Sequence, residues 1–184
     1  TIAYADRITT ASNGGTNAPS AVYPNSELAE QLKIVARLID GGLQTKIYYL
    51  SIGGFDTHAN QVVSSNKTTG THANLLKNLS DSIVAFQADI AAGGNEERVV
   101  GMTFSEFGRR VSSNASIGTD HGIAAPMFVF GKGVKTQKIG TNPNLSSLDN
   151  GSVAMQHDFR QVYSTILTDW LGASAATAND VLFK

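Results

Sequence analysis

Apolar positions along the chain follow helical spacing in some stretches and strand spacing in others. In the first helical stretch, apolar residues recur every three or four positions: Leu28, Leu32, Val35 and Ile39. Side chains at this spacing share one face of an α-helix. Asn25 or Ser26 can cap its start and Gly41-Gly42 follows its end, so the pattern predicts a helix between these points.

Two later stretches show the same helical spacing. Thr71 can cap the first of them, and the second starts near Asp158 and ends at Gly172. The predicted buried faces are Leu75, Leu79, Ile83, Phe86 and Ile90 in the first and Val162, Tyr163, Ile166, Leu167, Trp170 and Leu171 in the second. Residues 1–25 are polar and interrupted by glycine and proline, which predicts mostly loop.

Three short apolar runs, rich in β-branched and aromatic residues, lie between these helices. They predict buried strands at residues 46–52, 98–104 and 126–131. Helices and strands thus alternate along the chain, which is typical of a parallel sheet covered by helices. The expected fold class is α/β, a three-layer sandwich with a largely parallel sheet, formed by residues 1–184 as a single domain.

Composition narrows the classes of function. Hydrophobic residues make up 41% of the 184 residues, which is enough for one globular core. The formal net charge of −1 offers no basic surface, so neither nucleic acid nor a membrane is an expected partner. The absence of cysteine excludes a disulfide scaffold, a thiolate zinc site and a cysteine nucleophile.

Two glycine-rich segments each place an Asp close to a His. Asp56 and His58 follow the first predicted strand, and Asp120 and His121 precede the third. Glu106 directly follows the second strand. Because ligands bind at the carboxyl ends of parallel strands, we expect these side chains to converge at one edge of the sheet. Carboxylate and imidazole together are a typical ligand set for a hydrolytic metal ion.

The same segments carry a resemblance to a known family. Residues 53–61, 102–110 and 118–122 resemble the signature segments of a large bacterial family, domain of unknown function 1501, and residues 158–172 resemble its closing helix. That family is similar to the alkaline phosphatase–sulfatase superfamily. The resemblance implies an alkaline-phosphatase-like sheet with one or two metal ions, activity on phosphate or sulfate esters, and a periplasmic or secreted location.

Two placements of the superfamily's second metal motif, an Asp-His pair at a strand end, are open. In one, Asp120-His121 is that pair. In the other, which we favour, Glu106 holds the strand-end position and His121 matches a later lone His. Asp56 and His58 would form the first motif, at a tighter spacing than usual. The resemblance therefore implies metal ligands among all five residues, although Asp120 could instead orient His121.

The superfamily's nucleophile, an early Ser or Thr, has no recognisable counterpart in this chain. Since family members are also longer, the resemblance implies that the chain is the carboxyl-terminal part of a longer protein, whose remainder supplies the nucleophile. Ser51 and Thr57 lie nearest the expected site, but such residues more often make hydrogen bonds in loops. Arg109 is the candidate for binding the substrate's oxyanion, unless it pairs with Glu106.

These observations predict a metal-dependent hydrolase of phosphate or sulfate esters. The expected cofactor is a divalent metal, zinc or manganese with mixed imidazole and carboxylate ligands, or calcium if His58 does not bind it. The expected partners are a small-molecule ester and the remainder of the longer chain. The alternative is a non-catalytic binding or structural domain that retains the same sheet.

Overall fold

The computed structural model describes residues 2–183, which form helices and short strands. The elements in chain order are α1 (Ile2–Gly14), α2 (Glu27–Asp40), α3 (Thr71–Ala92), a 3-10 turn (Glu96–Arg98), β1 (Gly101–Met102), β2 (Gly108–Ser113), β3 (Thr119–Gly122), β4 (Val129–Phe130), β5 (Leu148–Asp149), β6 (Ser152–Val153), α4 (Phe159–Thr165), a π-helical turn (Ile166–Trp170) and α5 (Ala175–Leu182). They divide into two compact units. The first contains residues 1–106, 112–120 and 126–135, and the second contains the rest.

Helix α2 forms where the apolar spacing predicted it. The Ser26 side chain accepts a hydrogen bond from the Ala29 backbone N–H at 3.2 Å and caps the helix. The helix ends at Gly41, whose N–H donates to the Arg37 carbonyl. Its predicted apolar face is buried and supplies four of the seven buried residues of the core cluster: Leu28, Leu32, Val35 and Ile39.

Helix α3 supplies two more residues of that cluster. Phe86 and Ile90 are buried against α2, and Leu79 packs beside them. The helix begins at Thr71, with Gly70 rather than Thr71 in the capping position, so the predicted start was displaced by one residue. Burial of these apolar side chains, rather than helix propensity, accounts for most of the stability of such a helix pair.

The prediction of a three-layer sandwich with a largely parallel sheet is wrong. Residues 46–52 form no backbone ladder with any part of the chain that the structure describes. Their side chains do alternate: Tyr48, Leu50 and Ile52 pack against the core, whereas Ile47 and Tyr49 are exposed. The apolar run thus predicted side-chain burial correctly, but burial does not require a neighbouring strand.

Within residues 2–183 two small sheets form instead, and β1–β4, β2–β6 and β5–β6 are antiparallel pairs. In the first, β1 pairs with β4, with Gly101 opposite Phe130. These short strands lie within the predicted strands 98–104 and 126–131. The second sheet has the order β3-β2-β6-β5, with β6 antiparallel to both β2 and β5. Strands this short leave most of the connecting backbone irregular, so the three-layer sandwich is replaced by helices with small sheets.

Residues 2–14 form helix α1, so the predicted loop at residues 1–25 is wrong for this part; Thr1 lies outside the described residues. The following segment is held to α3 by Asp89, a buried carboxylate. Asp89 accepts hydrogen bonds from the Asn17 side chain at 2.7 Å, the Ala18 N–H at 2.6 Å and the Tyr23 hydroxyl at 2.9 Å. Burial and the contact with Asp89 raise the pKa of Tyr23, so its hydroxyl stays a donor.

The second unit contains the predicted closing helix. Asp158 caps α4 by accepting from the Arg160 N–H at 2.9 Å, and the chain turns at Gly172, where φ is +73°. Hydrogen bonds from Arg160 lower the pKa of Asp158 to about 2. Among the described helices, none has the length and apolar character needed to cross a membrane.

Candidate metal centre

The loop that carries Asp56 and His58 is fastened to the turn between β2 and β3. The backbone N–H of Asn60 donates to the Ser116 carbonyl at 2.9 Å, and the N–H of Gln61 donates to the Ile117 carbonyl at 2.9 Å. Asn60 has a φ of +51°, which lets the chain turn sharply after His58. Residues 53–61 and 114–118 are therefore bound to each other by main-chain hydrogen bonds.

Gln61 strengthens this connection with its side chain. Its Oε1 atom accepts a hydrogen bond from the Thr57 hydroxyl at 3.1 Å and another from the Thr119 hydroxyl at 2.7 Å. Thr57 is buried, with 4% of its surface exposed. The Thr57 hydroxyl is thus used as a structural donor, which is the commoner role for such a residue.

Gly118 allows the two segments to come this close. A Cβ atom at this position would lie 2.1 Å from the His58 carbonyl oxygen and 2.6 Å from that of Thr57. Real Cβ atoms do not approach backbone atoms to such distances, so a larger residue would push the segments apart. The preceding residue, Ile117, has a φ of +59°, a strained value for a β-branched side chain.

The imidazole of His58 lies between two carboxylates. Its Nε2 atom is 3.1 Å from Asp56 Oδ1, and its Nδ1 atom is 3.4 Å from Asp120 Oδ1. All three side chains are about half exposed or more, so water and small solutes can reach them. A carboxylate at one ring nitrogen fixes the ring and leaves the other nitrogen directed at a ligand site.

Asn114 joins the parts of this arrangement. Its Nδ2 group donates to the His58 carbonyl at 2.8 Å and to Asp120 Oδ1 at 3.2 Å. Its Oδ1 atom accepts from the N–H groups of Ser116 at 2.9 Å and Gly118 at 3.1 Å. One amide therefore holds the turn, the His58 backbone and the Asp120 carboxylate.

Asp56 and His58 each offer one possible ligand atom to a metal ion, and these atoms, Asp56 Oδ1 and His58 Nε2, are 3.1 Å apart. Tetrahedral zinc ligands at about 2.0–2.2 Å from the ion are about 3.3–3.6 Å apart. Exposed side chains can make the small rotations that close this difference, so these two residues fit a divalent ion.

Aromatic contacts orient His121 within the second unit. The ring of Phe107 stacks on the imidazole, with centroids 3.8 Å apart and planes inclined by 10°. The guanidinium carbon of Arg109 lies 4.9 Å from the centroid of the same Phe107 ring. Arg109, predicted to bind the substrate, is thus in cation–π contact with the residue that positions His121.

The other predicted ligands are placed as follows. Glu106 is exposed in the bend between β1 and β2. Asp120 contacts Nδ1 of His58 and can orient that ring. His121 belongs to the second unit, and its role as a metal ligand stays a prediction. A further histidine, His157, is exposed beside the cap of α4.

Sequence reasoning missed Asn114, Gln61 and Gly118, the residues that hold the loop in place. Asn114 is followed two residues later by Ser116 and four residues later by Gly118. This pattern indicates a turn closed by the Asn side chain. That signal predicts the turn, but no local pattern indicates that the turn binds residues 53–61.

Comparison with known proteins supports one family assignment. No curated protein and no solved structure matches the chain. A family model does match, over residues 9–171, which is most of the chain. The chain therefore belongs to the family described as protein of unknown function DUF1501.

Proposed function

We propose that Asp56 and His58 bind one divalent metal ion and that this ion serves the hydrolysis of phosphate or sulfate esters. The observation that carries the proposal is the distance of 3.1 Å between Asp56 Oδ1 and His58 Nε2, with the Asp120 carboxylate at the other ring nitrogen. Mixed carboxylate and imidazole ligation favours zinc or manganese. Calcium prefers six to eight oxygen ligands, so it fits this set less well.

Open access to the two protein ligands supports a catalytic rather than a purely structural ion. Structural zinc sites are closed by four protein ligands, whereas catalytic sites keep a position for water or substrate. The exposed side chains of Asp56 and His58 leave room for a small ester. When bound, a divalent ion supplies a Lewis acid that stabilises charge on a phosphoryl or sulfuryl oxygen.

The residues of the chain have separate roles in this proposal. Asp56 and His58 hold the ion, and Asp120 keeps the His58 ring oriented through Nδ1. Arg109 binds the negatively charged ester oxygens, in keeping with the geometry of guanidinium groups. Binding and orientation of the ester, rather than a covalent step, are what these side chains provide.

A second candidate is a metal-binding domain without catalysis. The hydroxyl of Thr57, the nucleophile candidate closest to the ligands in sequence, donates to Gln61 and is buried. This observation favours the second candidate, because a committed and buried hydroxyl is a poor nucleophile.

Measurements of metal binding and of ester hydrolysis on the same variants distinguish the hydrolase from the non-catalytic metal-binding domain. Zinc and manganese binding is measured by calorimetry, and hydrolysis by the full-length protein is assayed with aryl phosphate and aryl sulfate esters. His58→Ala and Asp56→Asn should each abolish binding, whereas His157→Ala, which changes an exposed histidine away from these ligands, should leave it unchanged. Metal-dependent turnover lost in the first two variants supports the hydrolase. Binding without turnover supports the second candidate, and no binding by the wild-type chain rejects both.

A further inference from the structure

We propose that Asn114 is the positioning residue of this metal centre: its amide holds the Asp120 carboxylate against His58. This inference rests on the proposed metal site. It assigns a role to a residue that offers no ligand atom to the ion and that lies in the turn after β2.

The four contacts of Asn114 fix the amide in one orientation. The oxygen accepts from two backbone N–H groups, those of Ser116 and Gly118, and an NH₂ group in its place could not do so. The NH₂ group must then face the His58 carbonyl and Asp120. Both donors and both lone pairs of the side chain are used, so rotation of the amide would break several hydrogen bonds at once.

The Asp120 oxygen that Asn114 holds is the one that faces His58. Asp120 Oδ1 is 3.2 Å from Asn114 Nδ2 and 3.4 Å from His58 Nδ1. A carboxylate at Nδ1 favours the ring form with the proton on Nδ1, which leaves the Nε2 lone pair directed towards Asp56. Asn114 also fixes the backbone of His58 through its carbonyl, so ring and main chain are positioned by one amide.

Removal of the amide donors should therefore weaken metal binding without loosening the turn. In Asn114→Ser, the hydroxyl can still accept from the N–H two residues on, but the contacts to His58 and Asp120 are lost. Substitutions of groups that orient metal ligands typically cost about 10–100-fold in metal affinity.

Asn144 provides a matched control. Its Oδ1 atom accepts from the Ser146 N–H at 2.9 Å, the same turn contact that Asn114 makes with Ser116 at 2.9 Å. Zinc affinity is measured by calorimetry and the metal-free melting temperature by circular dichroism. We expect Asn114→Ser to bind zinc about 10–100-fold more weakly and Asn144→Ser to bind like the wild type. The metal-free melting temperature of Asn114→Ser should be the lower of the two, because its bond to the His58 carbonyl is lost, so affinity is measured well below both melting temperatures.

A second variant keeps the test decisive if Asn114→Ser fails to fold. Asp120→Asn retains the shape of the side chain and removes the charge that Asn114 holds, so it should give a loss of similar size. When both fold, the double variant should lose little more than either single one, because both act through the same contact. Wild-type affinity in Asn114→Ser, or in Asp120→Asn if only that variant folds, overturns the inference alone. Absence of zinc binding by the wild type overturns the proposed metal site and this inference with it.

Discussion

Replacing Gly118 by alanine tests whether the close approach of two segments builds the metal centre. The added Cβ would lie 2.1 Å from the His58 carbonyl oxygen, 2.3 Å from the carbonyl carbon and 2.6 Å from the Thr57 carbonyl oxygen. All three are backbone atoms, so no side-chain rotation can relieve the overlap. The segments must separate by roughly 1 Å to restore ordinary contact distances.

Such a separation breaks the hydrogen bonds that join the segments. They include Asn60 N–H to Ser116, Gln61 N–H to Ile117 and Asn114 Nδ2 to the His58 carbonyl. At about 0.5–1.5 kcal/mol each, the loss of three such bonds lowers the free energy of unfolding by about 2–4 kcal/mol. The same movement pulls His58 away from Asp120, so zinc binding should also weaken.

Urea denaturation followed by circular dichroism measures the change in unfolding free energy. Gly133→Ala is the control, because Gly133 has no neighbouring atom within 4 Å and no positive φ. A surface change of this kind should stay within about 0.5 kcal/mol of the wild type. Equal stability and equal zinc affinity in Gly118→Ala and Gly133→Ala would refute the reasoning.

Three further predictions concern the core, the turn and the closing helix. Phe86→Ala should lower the free energy of unfolding by about 3–5 kcal/mol in urea denaturation, because Phe86 is buried in the α2–α3 core, whereas exposed Val84→Ala on the same helix should change it little. Ile117→Asn should raise the melting temperature by relieving about 1 kcal/mol of strain at φ +59°; a lower value would argue against strain there. The pKa of Asp158 is lowered to about 2, so its charge stabilises the fold above about pH 4 and this contribution disappears as the pH falls towards 2. The stability advantage of the wild type over Asp158→Asn should shrink over that range, and a constant advantage would contradict the assignment.

Helices α1 and α5 were not predicted, whereas α2, α3 and α4 were the part of the fold that could be predicted. Their spacing and capping are local: Ser26 lies at the start of α2, and its apolar face is continuous from Leu28 to Ile39. The sheet depends on which backbone segments meet, and an apolar run such as residues 46–52 carries no information about that. Alternation of Tyr48, Leu50 and Ile52 indicates one buried face but does not require a ladder. The parallel sheet was therefore an inference from the order of the elements, and it failed.

The site was predictable at the level of residue types but not of contacts. The two Asp-His segments drew attention to Asp56, His58 and Asp120, whose side chains lie next to one another in the first unit. The expected reason for their convergence, a shared edge of a parallel sheet, was wrong. Convergence instead comes from the docking of residues 53–61 on the turn at residues 114–118, which requires Gly118 and Asn114. Contacts between segments this far apart in sequence have no local signature.

The central claim is that Asp56 and His58 hold one divalent ion. Crystals of the chain grown with zinc allow a direct test, because anomalous scattering at the zinc edge locates the ion. The account predicts a peak about 2.0–2.2 Å from one carboxylate oxygen of Asp56 and from Nε2 of His58. A zinc-saturated crystal with no peak at these residues, or with its zinc bound elsewhere, at His157 for example, would contradict it.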